Sequence, residues 1–372
     1  MYNISHSRQM SEPTQEDVIS IVSSIFDVRE ITTTLEKMEF EVSDSDFKQK
    51  FVFLAQKLEA INLVCFINKS QGKLLIQVNR LPPQRRGFKL IPKSWTPRIL
   101  FAIVVAFVMI DGYYRTLGAN SIIRIGDPFD FAILYTFSLV GILGVHEAGH
   151  IIAARIHKLR TSWPYFIPGI PVFGIPTFGA LIQSRSLTIN RDILFDVAIA
   201  GPIAGLVITI LVSFYGAYTS PVLDNDTIAG LSDLHLEKLN DSILMKAALS
   251  AYGKGGPNTE VIMSPILFAA WLGFLITFLN LLPAWQLDGG HMARAIFGQR
   301  VHQFATYGSV GVLFLLNYQM MAMFILIFSI RNMSARPLDD VSPLSKNRKL
   351  AYIGVMIVAA LCAPLPDLVW PN

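Results

Sequence analysis

The sequence predicts a polytopic α-helical membrane protein of about six to seven transmembrane helices, preceded by a small soluble α+β N-terminal domain. Three observations lead there. Hydrophobic residues make up 52% of the 372 residues and charged residues only 16%, against a charged share of about 25% in soluble domains. The mean hydropathy is +0.46. The long apolar runs also lie beyond residue 90, whereas residues 1–90 mix apolar and polar positions as a water-soluble domain does.

Residues 1–90 therefore read as the soluble domain and 91–372 as the transmembrane domain. In the first, Phe47 to Glu59 has helical periodicity. Asn62–Asn68 and Leu74–Asn79 are β-rich runs parted by Ser70-Gln71-Gly72, which predicts a hairpin. Leu81 to Gly87, with Pro82 and Pro83, breaks regular structure and forms a linker. Apolar stretches near Ile99–Tyr114, Phe129–Arg155, Asp192–Tyr218, Val261–Pro283, Val301–Asn317, Gln319–Ile330 and Leu350–Pro364 follow as expected spans. The first, fifth, sixth and seventh are short, and the fifth and sixth can equally form one bent element.

Charge placement fits this layout. The net charge of +4 is modest, and the basic residues sit in short runs beside apolar segments. That favours membrane orientation over nucleic-acid binding. Arg80, Arg85, Arg86, Lys89, Lys93 and Arg98 precede the first span, which places the N-terminal domain in the cytoplasm. Arg155, Lys158 and Arg160, then Arg294 and Arg300, then Arg331 and Arg336, follow spans expected to emerge inside. The 220–260 loop, expected outside, is acidic through Asp224, Asp226, Asp233, Glu237, Asp241 and Glu260. Two cysteines, Cys65 and Cys362, exclude a disulfide framework and a cysteine metal site. The N-terminus, with Glu12, Glu16, Asp17 and Asp27 and no early apolar core, reads as neither secretory signal nor transit peptide. A multi-pass protein of a prokaryotic cell membrane is the expectation.

The chemistry-bearing segment is His146-Glu147-Ala-Gly-His150. Histidines four apart share one helix face and can bind one Zn²⁺, with the intervening glutamate as general base towards water. On a soluble helix the motif is equally a pair of solvated polar residues. Here the preceding run from Phe129 to Val145 is almost wholly apolar. Ionisable residues at membrane depth are costly and point to function.

A catalytic zinc usually takes three protein ligands, so a distant one is needed. Asp288, in Asn280-Leu-Leu-Pro-Ala-Trp-Gln-Leu-Asp-Gly-Gly-His291, is the best candidate. At about 1.5 Å rise per residue, His146 lies about 26 Å along its span and Asn280 about 28 Å along a span of the same direction. Both motifs reach similar depth, near the cytoplasmic face. Pro283 ends the helix, and Gly289-Gly290 allows a tight turn or close backbone approach. The plainer reading of Asp288, an interfacial loop carboxylate, leaves the metal a ligand short. His291 reads as interfacial, His157 as part of a cytoplasmic charge cluster, and His302 gives no site signal.

The paired motifs, HEAGH in one span and N-x-x-P-x-x-x-x-D-G in a later one, resemble those of the site-2 protease family of intramembrane zinc metalloproteases. Phe166 to Leu181 looks like that family's loop after the first motif, and Ala200-Gly-Pro-Ile-Ala-Gly205 like its middle helix. The likeness covers roughly residues 90–366. The soluble N-terminal domain looks closest to the archaeal and plastid branch. The resemblance implies hydrolysis of peptide bonds in transmembrane segments of membrane-protein substrates within the lipid bilayer. It implies His146, His150 and Asp288 as ligands of one Zn²⁺ and Glu147 as general base. It also implies that Asn280 helps hold the substrate or its oxyanion. Read from the residues alone, Asn280 is equally an interhelical hydrogen-bonding group, and Gly201-x-x-x-Gly205 a site of close helix packing.

Trp163 to Gln183 carries Pro164, Pro168, Pro171 and Pro176 and cannot be regular helix. Thr177–Gln183, including Gly179, could offer an extended edge on which an unwound substrate adds as a strand, with simple packing as the equal alternative. Two rival functions remain: a divalent-metal transporter using the same ligands in transit, and a catalytically inactive scaffold. The first should show polar residues along the whole membrane depth, and the outer halves of the expected spans are nearly bare. The second commonly lacks one of the ligand or base groups, all of which are present.

Overall fold

The computed structural model describes residues 13–34, 37–80, 95–170, 175–182, 188–224, 240–256, 259–331 and 336–364. The linker expected at Leu81–Gly87 lies outside these residues, as do Glu12, Arg85, Arg86, Lys89, Lys93, Pro171, Gln183, Asp226, Asp233 and Glu237. The chain divides into two units.

The first comprises Met1–Gly87 with two later segments, Thr188–Arg191 and Arg336–Pro343. Helix α1 (Gln15–Ser23) starts at a capping box. Thr14 Oγ1 accepts the Asp17 N–H at 3.2 Å, and Asp17 Oδ2 accepts the Thr14 N–H at 2.9 Å. Helix α2 (Phe47–Ala60) buries Phe51, Leu54, Ala55 and Leu58, the spacing of one helical face. Strands β1 (Val28–Thr33), β2 (Met38–Val42), β3 (Leu63–Ser70) and β4 (Lys73–Arg80) form one sheet in the order β1-β2-β4-β3. The β3–β4 pair is the expected hairpin. Gln71 (φ 50°) and Gly72 (φ 83°) make its two-residue turn, the both-positive geometry that matches strand twist. On β2, Met38, Phe40 and Val42 alternate into the core.

At the outer edge of β3, Ile67 pairs with the second later segment, which in turn pairs with the first. The Ile67 N–H donates to Leu338 O at 3.1 Å, and the Asp339 N–H donates to Ile189 O at 2.7 Å. Ile67 with Asp339, and Asp339 with Asn190, thus form successive parallel bridges. Arg191 fastens this addition through Asp340 Oδ1 (3.1 Å) and Arg336 through Asn68 Oδ1 (2.7 Å). The edge of β3 is thus engaged within the chain at Ile67, where it would otherwise present an unpaired N–H. Cys65 lies inside this unit, where burial pushes its thiol up to about 12 and leaves it unreactive.

The second unit is helical and holds the long apolar elements. Helices α3 (Thr96–Ile122), α4 (Pro128–Ile156) and α5 (Arg191–Thr219) are long and apolar enough to cross a bilayer. Asp127 caps α4, accepting the Phe129 and Asp130 N–H groups at 2.8 and 3.2 Å, with Pro128 at its first position. Large apolar side chains such as Phe137, Ile152, Val207 and Leu211 point outwards from α4 and α5, as lipid-facing residues do. Between α4 and α5 in the chain comes a β-hairpin, β5 (Tyr165–Ile170) and β6 (Ile175–Leu181), which packs against α3. Past α5 come a short ribbon, β7 (Val222–Asp224) with β8 (Thr259–Val261), and helix α6 (Ile243–Ser250). Lys254 Nζ closes the end of α5 by donating to the carbonyls of Ala217, Tyr218 and Ser220 at 2.6–2.9 Å.

The expectation of about six to seven spans is not met: among the described residues three helices qualify. Helix α7 (Pro265–Leu281) is apolar but has 17 residues, a rise of about 26 Å against a hydrocarbon core of about 30 Å. Helix α8 (Asp288–Leu315) has 28 residues, but its first half carries His291, Arg294 and Arg300 and its backbone breaks at Gly298 (φ 80°, ψ −176°). Helix α9 (Gln319–Arg331) has 13 residues. Helix α10 (Lys346–Cys362) has 17 and opens on Lys346, Arg348 and Lys349. The later apolar runs fold into helices too short, or too charged in their first turns, to qualify as spans.

The first span is also longer than read, which brings Arg115 inside α3. Asp111 Oδ2 accepts from Arg115 Nε at 2.7 Å and from the Tyr135 hydroxyl of α4 at 2.8 Å. The Arg115 guanidinium lies 3.4 Å from the Phe268 ring centroid. Gly112 gives α4 room beside this group, since a Cβ there would stand 2.6 Å from Tyr135 Cδ1. The span is therefore less bare than its sequence suggested, and the network ties α3 to α4. Tyr135→Phe should cost about 1.5–3 kcal/mol, a hydrogen bond to a charged group. Asp111→Ala, which removes the carboxylate shared by both donors, should cost about 3–5 kcal/mol. Unfolding in detergent measures both, and the opposite order would contradict the network.

Candidate metal centre

His146, Glu147 and His150 lie in the last third of α4, so the two imidazoles, four residues apart, project from one face. Helix α5 supports that face at backbone distance. A Cβ on Gly149 would fall 2.5 Å from Ala200 O, one on Gly205 3.0 Å from His146 Cβ, and one on Gly201 2.1 Å from His150 Nε2. The Gly201-x-x-x-Gly205 pair is thus a packing element whose contact surface is the two histidines. Val197 O lies 2.8 Å from His150 Nδ1. A carbonyl only accepts, so Nδ1 carries the proton and the Nε2 lone pair is free to bind.

The carboxylate arrives from a later part of the chain. Helix α7 brings Asn280 to the group, with Nδ2 at 3.5 Å from His146 Nε2. It then stops at Leu281, two residues before Pro283. The chain turns through Leu282–Leu287 and re-enters a helix at Asp288, the first residue of α8. Gly289 and Gly290 make this re-entry possible. A Cβ on Gly289 would meet Leu281 O at 2.1 Å, and one on Gly290 would meet Ala284 O and Trp285 O at 2.4 Å.

Three atoms converge. His146 Nε2 and His150 Nε2 are 3.2 Å apart, and each is 3.4 Å from Asp288 Oδ2. They form a three-residue cluster able to hold a metal ion. Donors placed about 2.0–2.1 Å from a tetrahedral zinc stand about 3.3 Å from one another, and two imidazoles with one carboxylate are ligands zinc accepts. The residues therefore fit the ion. Glu147, buried beside His146, lies within electrostatic reach of both histidines and Asp288.

The remaining sequence candidates fall elsewhere. Gly179 sits on β6, outside the converging atoms, at a register shift of the β5–β6 pair. Its φ is +93° and its N–H donates to Thr177 Oγ1 at 3.1 Å. That is a bulge glycine with its donor engaged locally. His291 is half-buried on the first turn of α8 and outside the cluster. His157 pairs with Asp196 of α5 at 3.0 Å, and Asp196 also takes two bonds of 2.6 Å from Arg348. Sequence reasoning missed the Val197 carbonyl, for which no signal exists, since every residue carries one.

The profile of peptidase family M50 matches residues 134–324, just over half of the chain. The chain belongs to peptidase family M50. The family M50 match encloses His146, Glu147, His150, Asn280 and Asp288. The Arabidopsis thaliana protein named "Probable zinc metalloprotease EGY1, chloroplastic" is 27% identical over 300 residues, 79% of this chain and 49% of that protein. The EGY2 protein of Oryza sativa subsp. indica, similarly named, is 31% identical over 231 residues, 60% of this chain and 41% of its own length. The rice EGY3 protein is 25% identical over 359 residues, 90% of this chain. The chain thus spans about half or less of the first curated relatives it matches. No solved structure matches it.

Gly201→Ala should lower zinc affinity about tenfold or more, because the added methyl occupies the place of His150 Nε2. Gly141→Ala on α4, where a Cβ meets nothing within 4 Å, should leave it unchanged. Chelator competition on the purified proteins compares the two; equal affinities would contradict the close approach.

Proposed function

We propose that this chain is an intramembrane zinc metalloprotease that hydrolyses peptide bonds in transmembrane segments of membrane-protein substrates. The observation that carries the reading is the convergence of His146, His150 and Asp288 beside Glu147 on a helix apolar enough to cross a bilayer, in a member of family M50. The relatives' printed names, probable zinc metalloproteases of chloroplasts, agree with it and support a likeness to the plastid members.

His146, His150 and Asp288 would hold the ion. When bound, zinc supplies Lewis acidity that acidifies water and polarises a carbonyl. The Glu147 carboxylate takes the proton of the attacking water and delivers it to the departing amine. Asn280 would hold the scissile carbonyl or its developing oxyanion, a role supported by its approach to His146 Nε2 at 3.5 Å. The Gly179 segment of β6 is assigned to the substrate backbone, through groups other than the engaged Gly179 N–H. Arg155 in the last turn of α4, with Lys158 and Arg160 just beyond it, supports a metal centre towards the cytoplasmic, basic side of the membrane.

Reconstituted with a transmembrane substrate, Glu147→Gln should keep its zinc and lose about 10²–10⁴-fold in cleavage rate. Chelation should abolish wild-type cleavage, and added zinc should restore it. Cleavage by Glu147→Gln at the wild-type rate would defeat the assignment. Ion transport surviving that substitution, with no cleavage by wild type, would favour a carrier instead.

A further inference from the structure

Asp288 owes its position to the turn Leu282–Leu287, and that turn contains a backbone anomaly. Trp285 has a φ of +45°, in the left-handed region that bulky L-residues rarely adopt. Such a conformation persists where the surroundings hold it. Both backbone polar groups of Trp285 are held by one helix. Its N–H donates to Thr306 Oγ1 at 3.0 Å, and its carbonyl lies 3.0 Å from His302 Nε2. The carbonyl only accepts, so His302 Nε2 carries the proton. The Thr306 hydroxyl spends its own proton on His302 O at 2.9 Å, which leaves a lone pair for Trp285. His302 and Thr306 are both wholly buried. The indole packs against Phe324 and Phe328 of α9, with ring centroids at 5.9 and 5.6 Å.

His302 and Thr306 belong to the same helix as Asp288. In a straight helix His302 would lie about 21 Å beyond Asp288 along the axis, out of reach of a residue that precedes it. The break at Gly298 (φ 80°, ψ −176°) redirects the second half of α8, and His302 and Thr306 reach Trp285 from there. Trp285 O in turn abuts Gly290, and Ala284 O accepts the Leu287 N–H at 3.1 Å. Fixing Trp285 therefore fixes the platform from which the first turn of α8 presents Asp288.

We propose that His302 and Thr306 are positioning residues of the metal centre. They act through Trp285 to hold Asp288 Oδ2 at coordinating distance from His146 and His150. The proposal rests on the zinc-site reading above. It deepens that reading by assigning a role to a buried histidine and threonine outside the ligand set.

The test is zinc affinity, measured by chelator competition on the full-length protein, with the Co²⁺ absorption spectrum as a report on ligand geometry. Thr306→Val keeps the shape and removes the acceptor. It should weaken affinity about tenfold, the low end for a residue supporting a ligand, and should alter the Co²⁺ spectrum. Thr306→Ser, which restores a hydroxyl, should return both to wild type. His302→Leu should behave like Thr306→Val, and His302→Gln, which keeps a donor at that reach, like Thr306→Ser. Ser309→Ala removes a hydroxyl bonded only to Ala305 O on the same helix, and should change neither readout. If Thr306→Val fails to fold, the two His302 variants carry the same comparison. Wild-type affinity and spectrum in Thr306→Val and His302→Leu, with affinity lost in Asp288→Ala, would overturn the positioning role. Wild-type affinity in Asp288→Ala would overturn the metal-centre reading and this proposal with it.

Discussion

Two imidazoles and a carboxylate standing 3.2–3.4 Å apart are the constraint around which the helical unit is arranged. Charged and polar groups gathered in apolar surroundings are unfavourable unless each is held and compensated. The neighbouring elements supply that support. Helix α5 can approach α4 closely because glycine stands at positions 149, 201 and 205, and it brings the Val197 carbonyl to His150. Helix α7 ends where Asp288 must turn back, and Gly289 and Gly290 let α8 begin against the end of α7. Each of these glycines lacks a side chain because another group already fills the space.

The same economy of space explains why α8 is not one rod. An unbroken helix from Asp288 would carry its later residues away from the turn that places the carboxylate. With the break at Gly298, the chain that leaves the centre is used again to brace it. Helix α9, short and apolar, contributes Phe324 and Phe328 to that brace through Trp285.

Much of this was legible in the sequence, for identifiable reasons. A five-residue run with two histidines on one helix face is a local pattern, and so is the turn signature Ser70-Gln71-Gly72 of the β3–β4 hairpin. The three long apolar helices could be found from hydropathy, although the apolar run of the first ends before Arg115, which the helix includes. The approach of Asp288 to the histidines could be anticipated from depth and ligand number. Features that depend on distant pairing could not. Strands β1 and β2 are short, and β1 is largely solvent-exposed, so its register comes from β2 alone. The span count failed because α7, α9 and α10 are apolar yet short, and because α8 mixes a charged first half with an apolar second half. His302 gave no signal because a histidine bonded to a backbone carbonyl leaves no mark on its neighbours in sequence.

The pairing at the β3 edge bears on how this chain is made. Arg336 reaches Asn68 across a sequence separation of 268 residues, and the backbone pairing beside it joins Ile67 to Leu338 and Asp339. The N-terminal sheet is synthesised early, but its edge at Ile67 is not paired until the ribosome has passed residue 339. During that interval its β3 edge is open, a surface on which nascent chains mispair. Engaging it requires that α3 to α9 have already been produced, so pairing at the β3 edge follows synthesis of the helices that carry the metal centre.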